Sequence, residues 1–207
     1  MRTLQTGMAS VAMSPHCGWE GMCRKCPENV TPLSARLPFR LVILPPMTED
    51  DIYADFAARG VPVQKHEHAA VYTVDESAAI HEALPAAHTK NLFLKDKKGH
   101  FWLITLPHDR RADLKAFAEL LGAGKFSFGK PDDMERLLHI TPGAVSPLAA
   151  PNASAEELTV VFDASFDDQP LIAVHPLRNT ATIAMPFDAL TGWLGDKGHE
   201  PRIVNLP

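Results

Sequence analysis

Two apolar runs separated by a short polar turn place the strongest constraint on how this chain folds. The runs are Leu92-Phe93-Leu94 and Phe101-Trp102-Leu103-Ile104-Thr105-Leu106, and Asp96-Lys97-Lys98-Gly99 lies between them. Because successive strand residues point to opposite faces, both runs are apolar on both faces. Gly99 supplies the left-handed backbone conformation that a tight turn needs. The sequence therefore predicts a β-hairpin in the middle of a covered sheet.

Lys90 and Asn91 lie at the start of the first predicted strand. Strand alternation puts Lys90 on the face of Leu92 and Asn91 on the face of Phe93. A cationic amine at the edge of a covered sheet is either a solvated rim residue or a placed functional charge. The hairpin alone leaves both interpretations open.

The pattern over residues 47–207 predicts an α+β fold. A single domain is expected, with a mixed, mostly antiparallel β-sheet and surrounding helices, because hairpins are interspersed with helices instead of alternating strictly as βαβ units. Helices are predicted at 49–59, 75–84, 111–121, from 131 onward and at 186–194. Further strands are predicted at 62–68, 158–162, 171–174, 179–185 and 202–205.

The first 46 residues differ from the rest in charge and cysteine content. They hold five Lys or Arg residues against two acidic residues, so the remainder of a chain of net charge −5 carries −8. Cys17, Cys23 and Cys26 all lie there, beside His16, but a complete second ligand pair for zinc is missing. Incidental thiols on a poorly ordered extension are the favoured interpretation, and Met47 is a candidate natural start.

Several classes of protein are excluded or disfavoured. No apolar run reaches the length of a membrane-spanning helix and no secretory signal is evident, so a cytoplasmic protein is expected. Residues 47–207 contain no cysteine nucleophile and no Gly-x-Ser-x-Gly elbow. Gly122-Ala123-Gly124 follows a predicted helix, which is the wrong context for a phosphate-binding loop, so nucleotide hydrolysis has no support.

Two further segments are candidates for a site, each with a structural alternative. His175 ends an apolar strand and precedes Pro176, so its ring can face an opening, although a structural histidine is the more common case. The loop at 141–147 holds two prolines and a glycine, which suit either a backbone surface for a ligand or a rigid connector. His66 and His68 lie on one strand face without a convincing third ligand, so solvated histidines are favoured over a metal site.

Three ordered blocks of sequence together resemble a known family. They are Thr-Lys-Asn-Leu-Phe-Leu-Lys-Asp at 89–96, Ser-Phe-Gly at 127–129 followed by Thr-Pro-Gly-Ala-Val-Ser at 141–146, and His-Pro-Leu-Arg-Asn-Thr-Ala-Thr at 175–182. From about Met47 to the end, the chain resembles the YbaK-type prolyl-tRNA editing domain. It is most similar to the free-standing deacylases that remove alanine from proline tRNA. The resemblance implies the YbaK-like editing-domain fold.

The resemblance also implies roles for individual residues. Lys90 corresponds to the functional lysine of the family, Asn91 to its neighbour in the pocket and His175 to the pocket histidine; these three are the expected catalytic residues. The ends of the G-x-x-x-P loop correspond to Gly143 and Pro147. The expected substrate-binding residues are Gly143, Ala144, Val145, Ser146, Pro147 and Arg178.

The implied activity is hydrolysis of the ester in mischarged proline tRNA, foremost Ala-tRNA(Pro), without a metal or other cofactor. The implied partner is the tRNA acceptor end, with prolyl-tRNA synthetase or an elongation factor as a candidate transient partner. The acidic charge of residues 47–207 predicts a small footprint and weak, salt-sensitive tRNA binding. A deacylase preferring Cys-tRNA(Pro), a non-catalytic tRNA-binding module and a small-molecule binding domain remain alternatives.

Overall fold

The computed structural model describes residues 45–70 and 80–207. The helices are α1 (Glu49–Ala58), α2 (Leu114–Leu121), α3 (Pro131–Leu138) and α4 (Phe187–Asp196). The strands are β1 (Gln64–Glu67), β2 (Ala87–Lys95), β3 (Phe101–Pro107), β4 (Ser127–Phe128), β5 (Leu158–Asp163), β6 (Ile172–Val174), β7 (Ala181–Met185) and β8 (Arg202–Val204). Short 3₁₀ helices lie at Pro147–Asn152 and Ala164–Phe166, and a helical turn at 80–83.

The eight strands of these described ranges form one mixed sheet. Their order is β1-β7-β6-β2-β3-β5-β8, and β4 pairs with β2 beside this path. The pairs β1–β7, β6–β7, β2–β3 and β2–β4 are antiparallel, whereas β2–β6, β3–β5 and β5–β8 are parallel. The predicted α+β fold with a mixed, mostly antiparallel sheet is confirmed.

The sheet is covered on both faces, as the apolar pattern of the hairpin predicts. Phe93 and its neighbours on one face pack with α1, α3, α4 and the 3₁₀ helix at 147–152. Leu94 and the residues on the opposite face pack with α2. On that second face Leu84, which follows the helical turn, packs against β6 and β7 through Ala173 and Ala184. The face of the sheet on which Lys90 lies is therefore covered by two separate elements, helix α2 and the segment that ends at Leu84.

Local capping explains where the first two helices begin. The side chain of Thr48 accepts the N–H of Asp51, whose carboxylate accepts the N–H of Thr48 in return, so α1 begins where the sequence predicts. Helix α2 begins at Leu114, three residues later than predicted, because Asp113 caps the N–H groups of the first turn.

Two of the predictions fall partly or wholly outside the described ranges. Only the end of the helix predicted at 75–84 is described, as the turn at 80–83. Residues 1–44, which include Cys17, Cys23 and Cys26, lie outside as well, so the extension and its thiols stay a prediction. Within 45–70 and 80–207, no helix is both long and apolar enough to cross a membrane.

Candidate active site

The edge of β2 that faces β6 and β4 is interrupted at Asn91. The N–H of His108 donates to the carbonyl of His88, so even-numbered residues of β2 bond to β3 and odd-numbered residues point to the other edge. On that edge, Ala87 and His88 pair with β6, and the carbonyl of Phe93 accepts the N–H of Gly129 at 2.9 Å. In the described ranges no strand pairs with Asn91 on this edge. Its backbone N–H and C=O therefore face a break in the sheet.

Lys90 is held at this break by a polar chain that reaches the core. Its Nζ donates to the carbonyl of Arg110. The guanidinium of Arg110 forms an ion pair with Asp163, which is 1% exposed, and donates to the carbonyl of Leu206 at 3.1 Å. Only one of the three N–H donors of the ammonium is used in this way. The geometry therefore fixes a cation at the rim and leaves donors for a ligand.

The side chain of Asn91 is oriented by two threonines. The Thr89 hydroxyl donates to a carbonyl and so can only accept from the amide, which places Nδ2 on its side and Oδ1 toward the hydroxyl of the fully buried Thr105 at 2.8 Å. The Asn91 Nδ2 faces Thr89 Oγ1 at 3.4 Å, and that hydroxyl donates to the carbonyl of Ala173 on β6 at 2.8 Å. The amide is thus fixed across the strands that border the break.

His175 lies level with Lys90 across the break. In the parallel pairing His88 is opposite Ala173, so continuing the register by two residues puts Lys90 opposite His175. The His175 Nδ1 lies 2.9 Å from the carbonyl of Ala181, which can only accept, so Nδ1 carries the proton. Burial lowers the pKa of His175, and the ring is neutral at physiological pH with its Nε2 as an acceptor.

The second and third sequence blocks meet at Gly143. This residue has φ +93°, and a Cβ added there would lie 3.3 Å from Nδ2 of Asn179. Leu177, in the same block as Asn179, also has a positive φ of 66° while its side chain packs against the core. A left-handed leucine is costly, and such strain persists where the surroundings over-determine the backbone. The positive φ of Gly143 and the close approach of Asn179 together favour glycine at this position.

The remainder of the 143–147 loop is anchored by its side chains. Ala144, Ser146 and Pro147 are buried, and Val145 packs against the core from a partly exposed position. The hydroxyl of Ser146 accepts the N–H of Leu148 and caps the 3₁₀ helix. Among the described residues, no hydrogen-bond acceptor is assigned to the N–H groups of residues 143, 145 and 146. The loop thus presents backbone donors from a rigid base, on the Asn91 side of the sheet.

Arg178 is bound to carboxylates of its own chain. Its guanidinium donates to Glu49 at 2.6 Å and to Glu67 at 2.7 Å. Lys65 forms ion pairs with the same two carboxylates. Arg178 and Lys65 together lower the pKa of Glu67 to about 2. This network ties the loop after β6 to α1 and β1. Contact between Arg178 and a substrate would require it to leave these partners.

The structure brings some of the predicted residues together and separates others. Lys90 and His175 share one face, while Asn91 and the 143–147 loop lie on the other, and the break at the β2 edge lies between them. Sequence reasoning missed the positioning residues Arg110, Asp163 and Thr105. The last two had a signal, because Thr105 is the single polar residue within an otherwise apolar strand and Asp163 is the only charged residue of its strand.

His68, which follows β1, is satisfied by neighbouring groups through both ring nitrogens. His68 lies 2.8 Å from the carbonyl of Ala69 through Nδ1 and 2.9 Å from the hydroxyl of Thr182 through Nε2. Within the described part of the chain, no group of three or more His, Cys, Asp or Glu residues has an arrangement suited to a metal ion.

Comparison with known proteins identifies the family to which the chain belongs. Residues 68–192 match the model of the aminoacyl-tRNA editing domain. The chain is 34% identical over 141 residues to "Prolyl-tRNA editing protein ProX" of Acetoanaerobium sticklandii, an alignment that covers 68% of this chain and 86% of the relative. It is 36% identical over 156 residues to "Prolyl-tRNA synthetase associated domain-containing protein 1" of Bos taurus, covering 72% and 90%.

A solved structure shares the fold. The crystal structure of "a putative trans-editing enzyme for prolyl tRNA synthetase" superposes with a TM-score of 0.57 at 21% identity, over 76% of this chain and 95% of the other. At that identity the likeness concerns the fold alone. From the domain match and the sequence relatives, the chain belongs to the aminoacyl-tRNA editing domain family.

Proposed function

We propose that the protein is a trans-acting editing deacylase that hydrolyses the ester of mischarged proline tRNA. Membership of the aminoacyl-tRNA editing domain family supports this proposal, as does a relative at 34% identity that is named a prolyl-tRNA editing protein. The single observation that carries it is the break in the β2 edge at Asn91, flanked by the held cation of Lys90 and the neutral ring of His175.

The reaction breaks the bond between the acyl carbon and the terminal ribose oxygen. Water supplies OH to the acyl carbon and a proton to the ribose oxygen, so the products are a free amino acid and uncharged tRNA. Such an ester is more reactive than an amide, and the protein need supply only positioning and donors for the developing oxyanion.

The residues around the break suit these tasks. The ammonium of Lys90 can face a phosphate or the ester carbonyl, and free N–H groups at Asn91 or in the 143–147 loop can stabilise the oxyanion. The acceptor Nε2 of His175 can hold the amino group or a ribose hydroxyl. The family resemblance implies that the substrate's own 2′-hydroxyl takes part, which fits the absence of an obvious general base in the sequence.

Selectivity in this proposal follows from size. A synthetase pocket built for proline cannot strongly reject alanine, because each missing methylene is worth only about 1–3 kcal/mol. A second pocket that admits alanine and excludes proline removes the error. Cysteine is close to alanine in size, so alanine is the first expectation and cysteine the alternative.

The charge of the chain argues for a small contact with tRNA. The net charge of −5 disfavours a protein that follows a long phosphate backbone, and the predicted contact Arg178 is already paired with carboxylates of its own chain. Contact with the acceptor end alone fits this charge. Prolyl-tRNA synthetase is the proposed partner that would deliver the substrate, because curated relatives are named for association with it.

The test is discharge of alanyl-, cysteinyl- and prolyl-tRNA(Pro) by the full chain. The Lys90→Met variant removes the charge but keeps the length of the side chain, and Lys97→Met, in the exposed turn, is the matched control. Loss of the alanyl ester by the wild type and the control, but not by Lys90→Met, would support the proposal. Faster loss of the cysteinyl ester would reassign the specificity. Binding of tRNA without turnover would reject catalysis in favour of a binding module.

A further inference from the structure

The ring of His68 lies beside that of His175, and the function proposed above does not use it. The two ring centroids are 6.3 Å apart, with the ring planes tilted by 54°. Continuing the antiparallel register of β6 and β7 by one residue puts His175 opposite Thr182, and Thr182 is opposite His66 on β1. Residues directly opposite one another share a face of the sheet, and so do residues two positions apart on a strand. His68, Thr182 and His175 are therefore neighbours on one face.

The hydrogen bonds of the His68 ring fix its tautomer. Its Nδ1 faces the carbonyl of Ala69, which can only accept, so Nδ1 carries the proton. Its Nε2 is then an acceptor, and the hydroxyl of Thr182 donates to it. Thr182 is 5% exposed, so this bond satisfies a hydroxyl that burial removes from water. Loss of the His68 acceptor would therefore leave the Thr182 hydroxyl free to turn.

His68 holds the stretch of chain that orients His175. The backbone N–H of His68 donates to the carbonyl of Thr180 at 3.0 Å, and its ring accepts from Thr182, so the two contacts bracket Ala181. The carbonyl of Ala181 in turn accepts the Nδ1–H of His175 at 2.9 Å. A shift of this stretch would move the carbonyl away from Nδ1 and release the His175 ring. The hydrogen bonds therefore form one chain from His68 to His175.

We propose that His68 is a positioning residue for His175, because through Thr182 it fixes the carbonyl of Ala181 and thereby the tautomer and orientation of the His175 ring. The expected effect on rate rests on the proposed editing function. His66 makes no such link: it lies directly opposite Thr182 and its ring is 6.1 Å from that of His68, yet the Thr182 hydroxyl is bonded to His68. The hydrogen bond at one ring nitrogen sets the role of the other, so the Nε2 of His175 stays an acceptor while Ala181 is held.

The test compares variants of the full chain in the discharge of alanyl-tRNA(Pro). His68→Phe keeps a ring but removes the acceptor for Thr182, so kcat should fall by about ten-fold while KM stays within about two-fold. His68→Gln restores an acceptor near the position of Nε2 and should recover most of the lost rate. Thr182→Val removes the donor, and together with His68→Phe it should cost no more than either change alone. His66→Phe is the matched control and should discharge the ester like the wild type.

The tautomer of His175 provides a second readout that needs no substrate. Long-range ¹H–¹⁵N correlation spectra of the histidine rings should show the proton on Nδ1 of His175 in the wild type and in His66→Phe, and a mixture of the two tautomers in His68→Phe and Thr182→Val. An unchanged tautomer in His68→Phe, or an equal change in His66→Phe, would overturn the proposal. The two readouts keep the proposals apart: a wild type that discharges no ester overturns the editing function, and the tautomer still decides whether His68 positions His175.

Discussion

Replacing Asp163 by asparagine should both destabilise the protein and disturb Lys90. Asp163 is 1% exposed and accepts from Arg110, from the N–H of Ser165 at 2.9 Å and from the N–H of Leu206 at 3.2 Å. An asparagine has the same shape, but only one of its two polar atoms is an acceptor. Its NH₂ group must therefore face at least one N–H donor in the interior.

The size of the effect follows from these contacts. Loss of a charge-assisted bond costs about 1.5–3 kcal/mol, and a buried donor without a partner costs about 1–3 kcal/mol. Because the side chain of Arg110 is 38% exposed and can turn to water, the lower half of these ranges applies. We expect Asp163→Asn to lose about 3 kcal/mol, which lowers the melting temperature by about 6–12 °C in a domain of this size.

Urea denaturation and ester discharge measure the two consequences. Asp167→Asn, at an exposed position nearby, is the control and should change stability by less than about 0.5 kcal/mol. In Asp163→Asn the carbonyl of Arg110 is no longer fixed, so kcat/KM should fall by about ten-fold or more at a temperature where the variant is folded. A loss below 1 kcal/mol would refute the energetic reasoning. The expected loss of stability together with an unchanged kcat/KM would refute the argument that Asp163 positions Lys90 through Arg110.

Three further predictions use other contacts of the site. Thr105→Val should lower kcat/KM of discharge by about ten-fold, because it frees the Asn91 amide. The control Thr159→Val, which removes a hydroxyl bonded to His100 on β5, should not lower it. Gly143→Ala should lower the free energy of unfolding by about 1–2 kcal/mol in a urea titration, because alanine is strained at φ +93°. The control Gly192→Ala, in open space on α4, should be neutral or stabilising. Equal effects of the two substitutions would contradict the argument from backbone conformation. The folded-state pKa of His88 lies at about 4, below its unfolded value, so its contribution to stability is complete above about pH 6.5 and is lost as the pH falls toward 4. The urea midpoint of His88→Gln should therefore fall less between about pH 7 and 5 than that of the wild type. Identical falls in the two proteins would refute the lowered pKa of His88.

Local patterns were sufficient for most of the secondary structure. The hairpin, with Lys90 opposite Leu106 and Lys95 opposite Phe101, follows from two apolar runs and a glycine turn. Helix α1 follows from its capping residues, and the closing strand at 202–204 from a short apolar segment. These features depend on residues that are close in sequence, where periodicity and capping act directly.

Candidate site residues could be named where a block of sequence resembled a known family. Lys90, Asn91, His175 and the 143–147 loop were named on that basis, and their catalytic roles remain predictions. Arg110 could not be named, because its importance comes from a backbone carbonyl and from Asp163, which lies 53 residues further along the chain.

The sequence by itself determined the elements, the fold class and the family, because periodicity, turn chemistry and ordered motifs are properties of neighbouring residues. Only the tertiary structure decided which groups meet. The parallel pairing of β2 with β6 puts Lys90 level with His175, and Arg178 is neutralised by Glu49, which lies 129 residues away. The break at Asn91 arises in the same way. Strand order and register set these contacts, and they result from packing of the whole sheet instead of any local preference.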